Sequence, residues 1–142
     1  MKIFLDANIL IDIFDEKRIF FNESQNTYRY LLDNVKYKIF TSCDIITTLY
    51  YVNSKIDKIN TLENIRLINK TLKIIEFSNK EIELTCKLMI QDKDFKDLEN
   101  TIQYIMAKKQ NCDLIISNDN NFVSKDIQLL TSKQFYNTYI KE

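Results

Sequence analysis

The chain has 142 residues, of which 45% are hydrophobic and 28% charged, with 20 basic residues balancing 20 acidic ones. That describes one domain able to bury a continuous core, and its bulk charge argues for neither DNA coating nor anionic membrane binding. Histidine, glycine and proline are absent, which excludes a Ser-His-Asp triad, a histidine base, an ordinary zinc site and any glycine-rich phosphate loop.

KIFL (2–5) reads as a short apolar strand and ANILIDIF (7–14) as one or two helical turns. Over 21–35, Phe21, Tyr28, Leu31, Leu32 and Val35 recur at helical spacing and predict an amphipathic helix. KIFT (38–41) is a second strand, and IITTLYYVNSKI (45–56) a buried helix, since its length argues against a strand. Residues 61–70 suit another helix and LKIIEF (72–77) a third strand. Ser78 with Glu81 three residues later makes a capping box for a helix reaching about Met89. A helix over 97–110, a fourth strand DLIIS (113–117), a fifth IQLL (127–130) and a last helix over 131–140 capped by Thr131 complete the chain. Strands alternating with helices predict an α/β fold, a three-layer α/β/α sandwich with a mostly parallel sheet of four or five strands.

No repeat, linker or low-complexity tail divides the chain, so a single domain over 1–142 is expected. No apolar run approaches the roughly 18 residues of a membrane span, and the opening KIFLDANI lacks a signal peptide's layout. Cys43, Cys86 and Cys112 are widely spaced with no CxxC, so they read as reduced, buried thiols of a cytoplasmic protein. Without glycine, turns fall to Asn, Asp and Ser, which tolerate left-handed backbone best.

Ligands of open parallel sheets sit beyond the carboxyl ends of the strands. Asp6 follows the first strand and Asp119 the fourth, so both leave the same edge. In DKDFKDLENTIQY, Asp97, Asn100 and Tyr104 share a helical stripe, with Glu99 and Gln103 on the neighbouring one. Taken singly, Asp6 reads as an N-cap, Asp119 as an Asx turn, and the acids of 92–99 as a solvated helix start. Together they would repel one another around one cleft unless a hard divalent cation sat between them. Such a site activates water and stabilises a phosphoryl transition state.

The order of KIFLDANILIDIF, TSCDIITTLYYVNSK, DLENTIQYIMAKKQNCDLIISNDNNF and LLTSKQF resembles the PIN-domain ribonucleases over almost the whole chain, and looks closest to the VapC-type toxins of bacterial toxin–antitoxin pairs. The resemblance implies an endonuclease dependent on Mg²⁺ (Mn²⁺ substituting) that cuts single-stranded or structured RNA, often transfer or ribosomal RNA. It also implies a small antitoxin that blocks the cleft, and a homodimer. Asp6 matches the first metal-binding acid, with Asn8 in the polar position after it, and Asp119 the acid after the fourth strand. Thr48 stands where many relatives have Glu, and Asp44 lies about one helical turn too early to replace it. Asn100 stands where the pattern expects the third metal acid, which removes a full charge at close range.

Three accounts of that amide compete: a change that disarms a toxic nuclease for production, a natural protein weakened or inactive, or Asp97 and Glu99 supplying the missing charge. On this pattern the ion is bridged by Asp6, Asp119, residue 100 if acidic, and Asp97 or Glu99. Ion-activated water then attacks phosphorus in line, leaving 5′-phosphate and 3′-hydroxyl ends. Lys55, Lys93 or Lys96 would grip the RNA backbone, and Tyr50 or Tyr51 would offer a stacking face, at least one of the two being expected in the core. The alternative reading is a catalytically weak or inactive RNA- or protein-binding regulator. A phosphate-receiver domain needs an Asp after the third strand, where LKIIEFSNK offers Glu76, and a DNA 5′-nuclease would need longer insertions.

Overall fold

The computed structural model describes residues 1–141. Five strands, β1 (Lys2–Leu5), β2 (Lys38–Ser42), β3 (Lys73–Ile75), β4 (Leu114–Ile116) and β5 (Gln128–Leu130), form one sheet. Its order is β3-β2-β1-β4-β5, and every pairing is parallel. The helices are α1 (Ala7–Asp12), α2 (Phe21–Asp33), α3 (Asp44–Asn53), α4 (Lys58–Thr71), α5 (Asn79–Gln91), α6 (Leu98–Lys109) and α7 (Ser132–Phe135).

Successive residues of a strand point to opposite faces, yet Ile3, Phe4 and Leu5 of β1 and Leu114, Ile115 and Ile116 of β4 are all fully buried. Both faces of the sheet centre are therefore covered, and the expected three-layer α/β architecture holds. Among the described residues, no helix is long and apolar enough to cross a membrane.

Several expectations shift in extent. The third strand is Lys73–Ile75 rather than 72–77, because Leu72 caps α4 through its N–H to the Ile68 carbonyl at 2.9 Å. The helix expected over 45–56 starts at Asp44 and stops at Asn53, and only Ile45, Leu49 and Asn53 of it are buried. In α2 the buried face is Ser24, Thr27, Tyr28 and Leu31, while Val35 lies beyond the helix end and is fully exposed. The last segment is a short α-helix followed by a wider, π-helical turn (Tyr136–Ile140), in which Tyr139 stacks on Phe135 with ring centroids 4.8 Å apart.

Local chemistry explains the boundaries. Ser78 and Glu81 form the expected capping box at α5, and Thr131 with Gln134 forms a second at α7. At the end of α6 the left-handed position is taken by Asn111 (φ 54°), whose N–H reaches the Lys108 carbonyl at 3.0 Å. Asparagine thus does the work that glycine does in most helix ends. The thiols are free, but only Cys112 is buried; Cys43, just before α3, is half-buried, and Cys86, on α5, is exposed.

Leu114→Ala, fully buried in a central strand, is expected to cost about 3 kcal/mol, against about 1 kcal/mol for Ser78→Ala, as measured by urea denaturation.

Candidate active site

β1 and β4 end side by side, and the ladder continues one residue further: the Asp6 N–H donates to the Ile116 carbonyl at 3.0 Å. Asp6 then caps α1, accepting from the Ala7 N–H at 2.7 Å through Oδ1. Its Oδ2 accepts from the Ser117 hydroxyl at 2.5 Å. The same Ser117 oxygen accepts from the Asp119 N–H at 3.1 Å and from the Asn8 amide at 3.5 Å. Asn8 Oδ1 in turn accepts from the Asn118 N–H at 3.1 Å. One serine at the strand end thereby ties together three residues that the sequence marked separately.

From the other side, α6 contributes its first turn. Asp97 caps it, with Oδ1 accepting from the Asn100 N–H at 2.8 Å. The Asn100 side-chain amide donates to Asp119 Oδ2 at 3.0 Å, while Asp119 Oδ1 takes the Asn121 N–H at 2.8 Å in an Asx turn. Glu99 Oε1 accepts from the Thr48 hydroxyl at 3.3 Å and from the Gln103 amide at 3.4 Å. Tyr104, on the same stripe as Asn100, turns away: it is buried against Phe95 and donates to Asp126.

The electrostatics are one-sided. Asp6 is 2% exposed. Burial above all, with Asp119 and Glu99 adding like charge, raises its pKa from 3.8 to about 7 against the opposing hydrogen bonds from Ser117 and Ala7. Glu99 is raised by burial and then by Asp44 and Asp97. Asp44 is itself raised by burial, despite a hydrogen bond from Ser42. The charges acting on Asp6 and Glu99 are carboxylates.

Two open clefts flank this acidic centre. One, of about 690 Å³, is lined by Lys96, Asp97, Asn100 and Asp119 among others. The other, of about 680 Å³, is lined by Thr48, Tyr50, Tyr51, Lys55 and Glu99. Tyr51 is 68% exposed with the Lys55 ammonium 4.4 Å from its ring centroid, and Tyr50 is half-buried. Lys93 lines neither cleft.

Four contributors escaped sequence reasoning. Ser117 reads as the tail of a strand, and Asp44, read as a turn too early, is a like charge acting on Glu99. Asn118 donates to Asp12 Oδ2 at 3.1 Å and Ser24 Oγ at 3.0 Å, and accepts from the Ser132 N–H at 2.9 Å. It locks the loop after β4 onto α1, α2 and α7. The signal for Asp12 was an isolated acid within the apolar run ILIDIF; it is buried and ion-paired to Arg18 at 2.6 Å.

Hard oxygen donors, a deeply buried carboxyl and mutual repulsion suit a hard cation between Asp6, Glu99 and Asp119. The Gln103 carbonyl oxygen, on the amide that serves Glu99, is a buried acceptor with no partner. Asn100 fits less well, because its amide points a donor at Asp119. Among the described residues no three His, Cys, Asp or Glu side chains form a ready-made cage.

A raised carboxyl pKa stabilises the fold fully below the unfolded value and loses that contribution as pH climbs through the folded one. Asp6→Asn is therefore expected to raise the melting temperature of the metal-free protein at about pH 8, with the advantage fading toward about pH 5. An equal advantage across that range would contradict the buried, uncompensated charge.

The PIN-domain family model matches residues 3–128. Ribonuclease VapC1 of Aquifex aeolicus is 49% identical over 134 residues, spanning 94% of this chain and 92% of that protein. Among solved structures, VapBC2 from Rickettsia felis bound to a DNA fragment from its promoter aligns with a TM-score of 0.70 at 19% identity, covering 92% of this chain and 97% of that one. The sarcin–ricin-loop-cleaving toxin VapC20 from Mycobacterium tuberculosis aligns at a TM-score of 0.71 and 8% identity, over 84% of this chain and 92% of that one. At such identities the structures share the fold alone, whereas the family match and the Aquifex relative run along nearly the entire sequence. The chain belongs to the PIN-domain family.

Proposed function

We propose that the chain is an endoribonuclease, the toxin of a type II toxin–antitoxin pair, acting on transfer or ribosomal RNA in the cytoplasm. The observation that carries this reading is the linkage of Asp6 and Asp119 through Ser117 beyond the ends of β1 and β4, in a chain nearly half identical to a protein named a ribonuclease. Asp6 and Asp119, with Glu99, would hold a divalent cation, Mg²⁺ or Mn²⁺. When bound, the cation supplies charge for the phosphoryl transition state and lowers the pKa of water.

The chain's own residues then divide the work. Ser117 fixes the Asp6 carboxylate and the Asp119 backbone in one frame. Thr48, in the place of the Glu of many relatives, orients Glu99 through its hydroxyl. Asp97 holds the first turn of α6 in place through its cap and lines the same cleft as Asn100 and Asp119, where it would add charge toward the cation. Lys55 and Lys96 flank the acids from the two clefts and would hold successive phosphates, with Tyr51 as a stacking face for a base. A small antitoxin is the expected partner, a reading supported by the resemblance of the fold to VapBC complexes from Rickettsia felis and Haemophilus influenzae. A homodimer is expected as well.

One observation favours a second reading, a regulator that binds RNA or protein with little or no cutting. The Asn100 amide already satisfies Asp119, as a hydrogen-bond donor in place of a cation.

Cleavage of RNA with Mg²⁺ separates the two. The nuclease reading expects Asn100→Asp to raise cleavage and Asp6→Ala to lower it by about a hundredfold. If neither the parent chain nor Asn100→Asp cuts, and Mg²⁺ stabilises neither, the regulator reading stands. Tyr51→Ala is expected to weaken single-stranded RNA binding by about 1–3 kcal/mol in fluorescence titration while leaving the melting temperature unchanged. An unaltered affinity would remove Tyr51 from the RNA path.

A further inference from the structure

At the edge of the sheet opposite the acidic centre, three adjacent strands each open on a lysine: Lys2 of β1, Lys38 of β2 and Lys73 of β3. The register places them on one face. Lys2 lies opposite Lys38, and Lys73 opposite Phe40, two residues beyond Lys38 on the same side. With Leu31, Val35 and Phe40 they line a cavity of about 400 Å³.

Like charges facing each other on neighbouring strands repel. Among the described residues, none of the three forms an ion pair with a carboxylate. Lys2 donates to the Gln110 carbonyl at 3.2 Å and lies 5.9 Å from the Phe40 ring centroid. The carboxyl ends of α2, α4 and α6 come to this edge, and their partial negative charge accounts for lysines being tolerated here. It does not account for three lysines lining one cavity whose wall also carries apolar residues. Leu31 and Phe40 are buried beneath that wall, and Val35 stands fully exposed beside it.

We propose that this cavity binds a small phosphate-bearing ligand of the nucleotide class, its phosphates against Lys2, Lys38 and Lys73 and its organic part against the exposed Leu32 and Val35. Ammonium groups bind phosphate as point charges without demanding a fixed plane. The volume matches a small-molecule pocket and is too small for an RNA duplex. The inference does not depend on the nuclease reading, since it concerns the far edge of the sheet.

The test is isothermal titration calorimetry on the full chain without divalent metal, using inorganic pyrophosphate, ATP, adenosine and a short oligouridylate. Pyrophosphate and ATP are expected to bind and adenosine not to. The Lys38→Gln/Lys73→Gln double variant, verified as folded by circular dichroism, is expected to lose about a hundredfold in affinity, about tenfold per lysine. The exposed pair Lys87→Gln/Lys133→Gln is expected to change nothing. Four results would each overturn the proposal. These are no pyrophosphate or ATP binding, an unaffected double variant, an equal loss in the Lys87/Lys133 control, or binding of the oligouridylate alone.

Discussion

The pairing of β1 with β4 governs the rest of the molecule, above all the single bond by which the Asp6 N–H prolongs the ladder to Ile116. Because that backbone is held, the Asp6 side chain cannot swing out to water and must accept burial where the strand ends. Ser117 then couples it to Asp119, and Asn118 anchors the same loop to α1, α2 and α7. The acidic centre is therefore a property of sheet register. A slip of one residue would turn each of these side chains to the wrong face.

Magnitudes decide how the acids coexist. Helix starts favour anions by about 0.3–1 kcal/mol each, and they are used here: Asp6 and Asp97 cap α1 and α6, while Asp44 and Glu99 sit in the first turns of α3 and α6. The upward displacement of Asp6 from 3.8 to about 7 corresponds to about 4 kcal/mol against the charged form. Burial and repulsion thus outweigh the caps severalfold. The fold tolerates a buried acid that its own hydrogen bonds do not fully compensate.

Much of this was legible beforehand, and the reasons are specific. KIFL and DLIIS are short apolar runs ending in polar residues, so the strands, their shared edge and the meeting of Asp6 with Asp119 followed from periodicity and from the rule for parallel sheets. The S-x-x-E spacing at Ser78 and the N-cap residue Thr131 declared two helix starts. The middle of the chain was harder to read. In α2 the inward face is half polar, with Ser24 and Thr27 buried beside Tyr28 and Leu31, so counting apolar residues drew the stripe toward Leu32 and Val35. The hub of Asp12, Ser24, Asn118 and Ser132 joins four distant stretches by hydrogen bonds, and no local pattern announces such a partnership. Asn100 was legible as a departure; its hydrogen bond to Asp119 was not.

The two ends of the sheet carry opposite signs, carboxylates where the strands finish and lysines where β1, β2 and β3 begin. The 20 charges of each kind thus sum to zero while the sheet itself is polar along its strands. A polyanion approaching along the strands is favoured at the lysine pole and opposed at the acidic one. A divalent ion seated among the acids weakens the opposing pole and evens the field. Charge bound at one end of the strands thus narrows the difference between the two.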